Sequence, residues 1–164
     1  MRMICAALAL AVALTACSSG ASEGAAAPAT SSAAEIAHHP ESGLRIIPLS
    51  VTHQGKRHEF RVELAQSPYE QAKGLMFRTE MGADEGMLFP MDPPREASFW
   101  MKNTVIPLDI IFIGSDRKIL NIAAKAVPYS EQPIDSDGLA AAVLELNGGR
   151  AAELGIAPGD KVDW

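Results

Sequence analysis

LRIIPLSVTHQGKRHEFRVELA, running from Leu44 to Ala65, is the stretch whose reading decides the fold. Apolar and polar residues alternate on both sides of Gly55, the period of two expected of strands with one buried face. A two-residue loop at Gly55-Lys56, glycine first, makes Leu44–Thr52 and Arg57–Ala65 a hairpin. That register sets Val51 opposite Phe60, Leu49 opposite Val62 and Ile47 opposite Leu64, all on the core side. Glu59, Arg61 and Glu63 then share the other face. Pro48, which has no N–H to donate, makes the first strand an edge.

Toward the C-terminus, Ser67-Pro68-Tyr69-Glu70 starts a helix with a serine N-cap, proline at N1 and glutamate placed for a capping box. Gly74 stops it after about two turns. Short strands are predicted at Gly86–Phe89 and Glu96–Lys102, and the apolar run Leu108–Ile113 suits a strand buried on both faces. Gly114-Ser115-Asp116-Arg117 turns the chain into Lys118–Ala124. A strand through Ala140–Leu146, a short helix at Gly148–Leu154 closed by Gly155, and a final strand ending at Trp164 complete the pattern. Strands dominate and no βαβ alternation appears. The expected fold is mainly β, a compact β-sandwich or partly open barrel of about eight short strands with one or two short peripheral helices.

Toward the N-terminus the pattern stops. Of the 26 residues from Ser18 to Gly43, 19 are Ala, Ser, Gly or Pro, and none is aromatic. Such a stretch buries too little apolar surface to offset its ordering entropy, so it reads as a flexible tether. His38-His39 within it reads as a solvated pair. Before it, Arg2 precedes an apolar run from Ile4 to Leu14, eleven residues and too short to span a hydrocarbon core of about 30 Å. Leu14-Thr15-Ala16-Cys17 closes that run and resembles the lipobox of bacterial lipoproteins. The resemblance implies cleavage before Cys17 and lipid attachment to its thiol. Residues 1–16 are then a lipoprotein signal peptide, 17–43 the lipidated cysteine and linker, and 44–164 a single globular domain. Cys5 leaves with the signal, so the mature chain of 148 residues keeps no free thiol. Ser18 after the cysteine, by similarity to the sorting rule of enteric bacteria, points to the outer membrane and the periplasm.

The composition excludes several classes. A formal net charge of −6 on 164 residues argues against a nucleic-acid partner, which usually needs a basic stripe. No Gly-x-Ser-x-Gly elbow, His-Glu-x-x-His, phosphate-binding loop or dinucleotide fingerprint occurs, and no motif implies a cofactor. Arg78, Trp100, Lys102, Asn103, Asp109 and Glu145 form the candidate binding set. Trp100 and Lys102 are expected on one strand face, and Asp109 and Glu145 each interrupt an apolar strand. A buried acid must be paired or else mark a site. One reading is a structural pair of Glu145 or Asp109 with Lys102 or Arg78; the other is a polar cluster at a cleft mouth beside an aromatic platform. Met76, Met81, Met87, Met91 and Met101 are soft ligands suited to copper or flexible core fillers. His53 and His58, opposed in the register above, would form a pair able to share a metal or a satisfied surface pair.

Gly74-Leu75-Met76-Phe77-Arg78, Gly86-Met87-Leu88-Phe89, Phe99-Trp100-Met101-Lys102-Asn103-Thr104, Pro107-Leu108-Asp109, Val143-Leu144-Glu145-Leu146 and Gly159-Asp160-Lys161-Val162 occur in that order. Together they resemble the domain-of-unknown-function family 192 over nearly all of Phe60–Val162. The resemblance implies a compact, mainly β fold, and members often carry an export signal. It brings no activity and no catalytic residue. The expectation is an envelope-tethered, non-enzymatic domain binding a small ligand, a glycan or an envelope protein. A hydrolytic enzyme using Glu145 or Asp109 with Lys102, and a methionine-rich copper module, are the alternatives.

Overall fold

The computed structural model describes residues 37–164; the signal segment, Cys17 and residues 18–36 of the expected tether lie outside the described residues. The strands are β1 (Ile46–His53), β2 (Lys56–Leu64), β3 (Glu85–Phe99), β4 (Leu108–Gly114), β5 (Ile119–Ala126), β6 (Ile134–Asn147) and β7 (Lys161–Asp163). Two helices, α1 (Pro68–Lys73) and α2 (Arg150–Leu154), follow β2 and β6. Seven strands replace the eight expected among the described residues, because Gly86–Phe89 and Glu96–Phe99 belong to one long strand. That strand pairs with β6 on both sides of an interruption between Pro90 and Arg95. Pro90, Pro93 and Pro94 bring no N–H to the ladder there, which is why the sequence looks like two strands.

The strands form one curled sheet in the order β5-β4-β6-β3-β2-β1-β7. All neighbours are antiparallel except β2 and β3, which α1 connects as a crossover. The two edges meet. Lys118 bridges Lys161, and Ile119 N donates to Asp160 O while Val162 N donates to Arg117 O. The sheet is therefore a half-barrel stitched at one corner, in keeping with the expected partly open barrel.

Curling gives the sheet two buried faces. The concave face collects Leu49, Val51, Phe60, Val62, Leu88, Ile111, Leu144 and Val162 from six strands, with Ala151 of α2 against it. The convex face of β3, β4 and β6 carries Met87, Phe89, Ile110, Phe112 and Val143, covered by Leu75, Met91, Ala97 and Met101. This is why β4 is buried at every position, as its apolar run predicts.

Local signals act as expected at both helices. Ser67 and Glu70 form the capping box, Pro68 opens α1, and Gly74 caps it. Gly155 ends α2 at φ 75°, a left-handed position that suits glycine. The hairpin register differs by two residues. Gln54 and Gly55, both at positive φ, make the loop, so Val51 lies opposite His58, Leu49 opposite Phe60 and Ile47 opposite Val62. Glycine can take the second position of a type I′ turn as readily as the first of a type II′ turn. A slip of two keeps every side chain on its face, so the hydrophobic pattern cannot choose between them. Pro48 precedes the Ser50–Thr52 segment that β7 covers, so β1 is an edge only in its first half.

Residues 37–43, assigned above to the tether, fold back on the domain. Ile46 N donates to Ala37 O, His39 N to Leu44 O, and Gly43 N to His39 O. His39 and Ser42 lie against the Arg78–Glu63 pair described below. Within the described residues the ordered chain therefore begins before Leu44, and His39 is half-buried and engaged rather than solvated.

Candidate functional site

One row of the convex face crosses four strands. Glu63 of β2 lies beside Met87 of β3, Met87 opposite Glu145 of β6, and Glu145 opposite Ile110 of β4. Two glutamates thus flank Met87 at about 10 Å, two strand spacings apart. Their environments differ. Glu63 is buried and takes a two-pronged ion pair from Arg78, with Nη1 at 2.9 Å and Nη2 at 3.2 Å. Ser42 Oγ also donates to it, and Arg78 Nε reaches Glu41 at 3.1 Å. Glu145 has no hydrogen-bond or ion-pair partner among the described residues, although only 5% of it is exposed. Burial alone raises its pKa from 4.5 to about 8, so at neutral pH the group is an uncharged carboxylic acid.

Glu145 ends at an open cleft of about 370 Å³ between the convex face and the chain segments crossing it. Phe89, Phe99 and Trp100 provide aromatic lining, and Lys73, Arg95 and Lys102 bring three positive charges. Local structure places each wall. Gly74 at φ 48°, a conformation that favours glycine, turns the chain out of α1 so that Leu75 and Met76 border the cleft. The loop after β3 is pinned by Met101 N to Ser130 O, Tyr129 N to Thr104 O and Phe77 N to Asn103 O. Phe77, Asn103 and Tyr129 all adopt positive φ in these contacts, a conformation that costs non-glycine residues of order 1–3 kcal/mol each.

The six candidate residues divide. Trp100, Lys102 and Glu145 line the cleft. Trp100 and Lys102 do not share a strand face, since β3 ends at Phe99 and Lys102 sits in the following turn. Lys102 Nζ lies 4.9 Å from the Trp100 ring centroid and 4.0 Å from Glu131. Asn103 braces the wall, its Nδ2 donating to the Met76 sulfur at 3.8 Å. Arg78 belongs to the Glu63 pair. Asp109 lies opposite Leu146, hence on the concave face, turned away from Glu145. There it accepts from Gly149 N and Lys125 N at 2.8 Å and from Ala151 N at 2.9 Å. Gly149 has no side chain to cap α2, so the Asp109 carboxylate serves its N-terminal amides from a neighbouring strand. The expected pair of Glu145 or Asp109 with Lys102 or Arg78 is not formed.

The residues of the metal alternatives lie apart from one another. Met87 and Met101 are fully buried beside the aromatic core and Met76 is half-buried, so the sulfurs do not form an exposed cluster. His53 Nδ1 bonds Asp160 at 2.9 Å and lies opposite Lys56, not His58. His58 is buried, and desolvation together with nearby Lys56 lowers its pKa. Among the described residues no three His, Cys, Asp or Glu side chains converge as a metal site. Lys73, Arg95, Phe89 and Phe99 are site residues that the sequence reading missed. Arg95 follows the proline-rich interruption of β3, where no period marks a strand, and Lys73 looks like an ordinary last-turn helix cation.

Comparison with known proteins gives a fold and a family. A crystal structure of a protein of unknown function from Novosphingobium aromaticivorans is 63% identical, covers 80% of this chain and 94% of its own, and superposes with a TM-score of 0.78. A structure from Sinorhizobium meliloti, named as a candidate transcription regulator, is 44% identical, covers 73% and 94%, and has a TM-score of 0.71. No curated protein matches the chain. The profile of DUF192, described as an uncharacterized ACR, matches residues 49–164, which takes in every strand but the start of β1 and every residue of the cleft. The chain belongs to the DUF192 family.

Proposed function

We propose that the protein is an exported lipoprotein, anchored through Cys17 in the outer membrane and facing the periplasm, whose domain is a non-enzymatic binding module. The cleft over Glu145 holds a small ligand. One observation carries this reading: an unpaired, uncharged carboxyl, 95% buried, ends in an open cavity large enough for a metabolite. Among the described residues Glu145 is not one of the side chains cut off from both partner and solvent, so its carboxyl stays open to a ligand from the cleft side. Glu145 is the one acid lining the cleft, whereas hydrolysis by paired carboxylates needs a second. The name of the Sinorhizobium relative suggests nucleic acid, but the net charge of −6 favours other ligands.

Two experiments test the reading. A thermal-shift screen of the full chain against metals, glycans, nucleotides and peptidoglycan fragments is expected to find a stabilising ligand, since binding to the folded state alone raises the midpoint. The shift must vanish in Glu145→Leu, which keeps the volume and removes the hydrogen-bonding group; a shift that survives places the ligand elsewhere. Cell fractionation of Cys17→Ser is expected to move the protein from membrane to soluble fraction, and retention in the membrane would overturn the lipid anchor.

A further inference from the structure

Resting on the binding reading above, the cleft's chemistry narrows its ligand. We infer that the cleft takes a hydroxyl-bearing organic anion of single-sugar size, its charge held by Lys73, Arg95 and Lys102 and a hydroxyl seated on Glu145. The volume of about 370 Å³ falls at the small end of small-molecule sites, room for one sugar ring. Among the described residues Lys73 and Arg95 have no ion-pair partner, and Lys102 has only the long contact to Glu131 at 4.0 Å. A chain with six net negative charges thus presents three cations and no ionised acid along this cleft at neutral pH, which selects an anion and steers it inward.

Glu145 decides the other end of the ligand. An uncharged carboxyl has one O–H to donate and oxygen lone pairs to accept, the complement of an alcohol. A purely apolar tail would leave it unpartnered. An ammonium group would meet three like charges along the cleft. One face of Trp100 is already taken by Lys102, and the ring is half-exposed, leaving its free face for the C–H surface of a ring rather than for a second cation.

Calorimetric titration of the full chain with glucuronate, glucose 6-phosphate and glucose tests the assignment. At least one anion is expected to bind about tenfold or more tighter than glucose, with Arg95→Gln and Lys102→Gln each weakening it about tenfold. Glu145→Leu is expected to abolish it while the melting transition stays cooperative. Preference between the two anions separates a carboxylate ligand from a phosphate one. Glucose binding as tightly as the anions, and lost in Glu145→Leu, would overturn the anionic class while leaving the cleft as a binding site. Anion binding indifferent to all three substitutions would overturn both. No binding of any of the three probes would overturn the sugar-sized anion, and the wider screen would then decide the binding reading alone.

Discussion

Replacing Glu145 by glutamine should make the protein more stable, by an amount that grows with pH. Between pH 4.5 and about 8 the folded chain holds this carboxyl protonated while the unfolded chain holds it ionised. Unfolding then releases a proton, so stability falls as pH rises through that window. One pH unit corresponds to about 1.4 kcal/mol. The wild type therefore gives up about 3 kcal/mol by pH 7 and about 5 kcal/mol above pH 8, where both states are ionised. Glutamine has nearly the shape of the neutral acid and no proton to lose. Urea unfolding of both proteins at pH 5, 7 and 8.5 should give near-equal stability at the lowest pH and a widening gap in favour of Glu145→Gln above it. Other titrating groups are common to both proteins and cancel in the difference. Parallel stability curves, or a variant less stable than the wild type at pH 7, would show that Glu145 is ionised and paired in the folded state and would refute the reasoning.

Asp109→Ala strips the acceptor from three backbone amides, two of them buried, and a loss of about 3–5 kcal/mol is expected by chemical denaturation, with faster amide exchange at Ala151. Asp109→Asn keeps the two bonds at Oδ1, loses the one at Oδ2, and should cost less. Arg78→Met leaves Glu63 buried without its cation, costing about 3–5 kcal/mol, and should speed amide exchange at His39 and Gly43; adding Glu63→Gln should recover part of the stability. Gly86→Ala would place a methyl group 2.5 Å from the Glu145 carbonyl oxygen and 2.9 Å from Leu146 Cδ2, and a fall of about 2–3 kcal/mol in unfolding free energy is expected.

Features set by a few neighbouring residues were legible without the structure. The capping box at Ser67, the glycine stops of both helices and the doubly buried β4 depend on side-chain chemistry within one turn or one strand. Trp100, Lys102 and Glu145 were legible as residue types out of place in their surroundings, and the fold does bring them to one cleft. Arg95 and Lys73 were not legible, because nothing local marks a surface cation that a curled strand or a helix end turns toward a cavity. Glu63 misled in the opposite direction. It continues the polar series of Glu59 and Arg61, yet it is buried because Arg78 and Ser42 close over that end of the strand.

The amino-acid sequence by itself determined the class of fold, the inward face of the first hairpin and the ends of the helices, because period, capping and turn chemistry act over short distances. The relation between Asp109 and Glu145 was decided only in three dimensions. Both are acids within apolar strands, and both interrupt a hydrophobic pattern in the same way. The β4–β6 register, with Asp109 opposite Leu146 and Ile110 opposite Glu145, turns one toward the concave face, where three amides hold its charge. It turns the other toward a cleft where nothing does. Strand parity is a property of pairing, and pairing between segments distant along the chain is settled by packing two faces of a curled sheet at once.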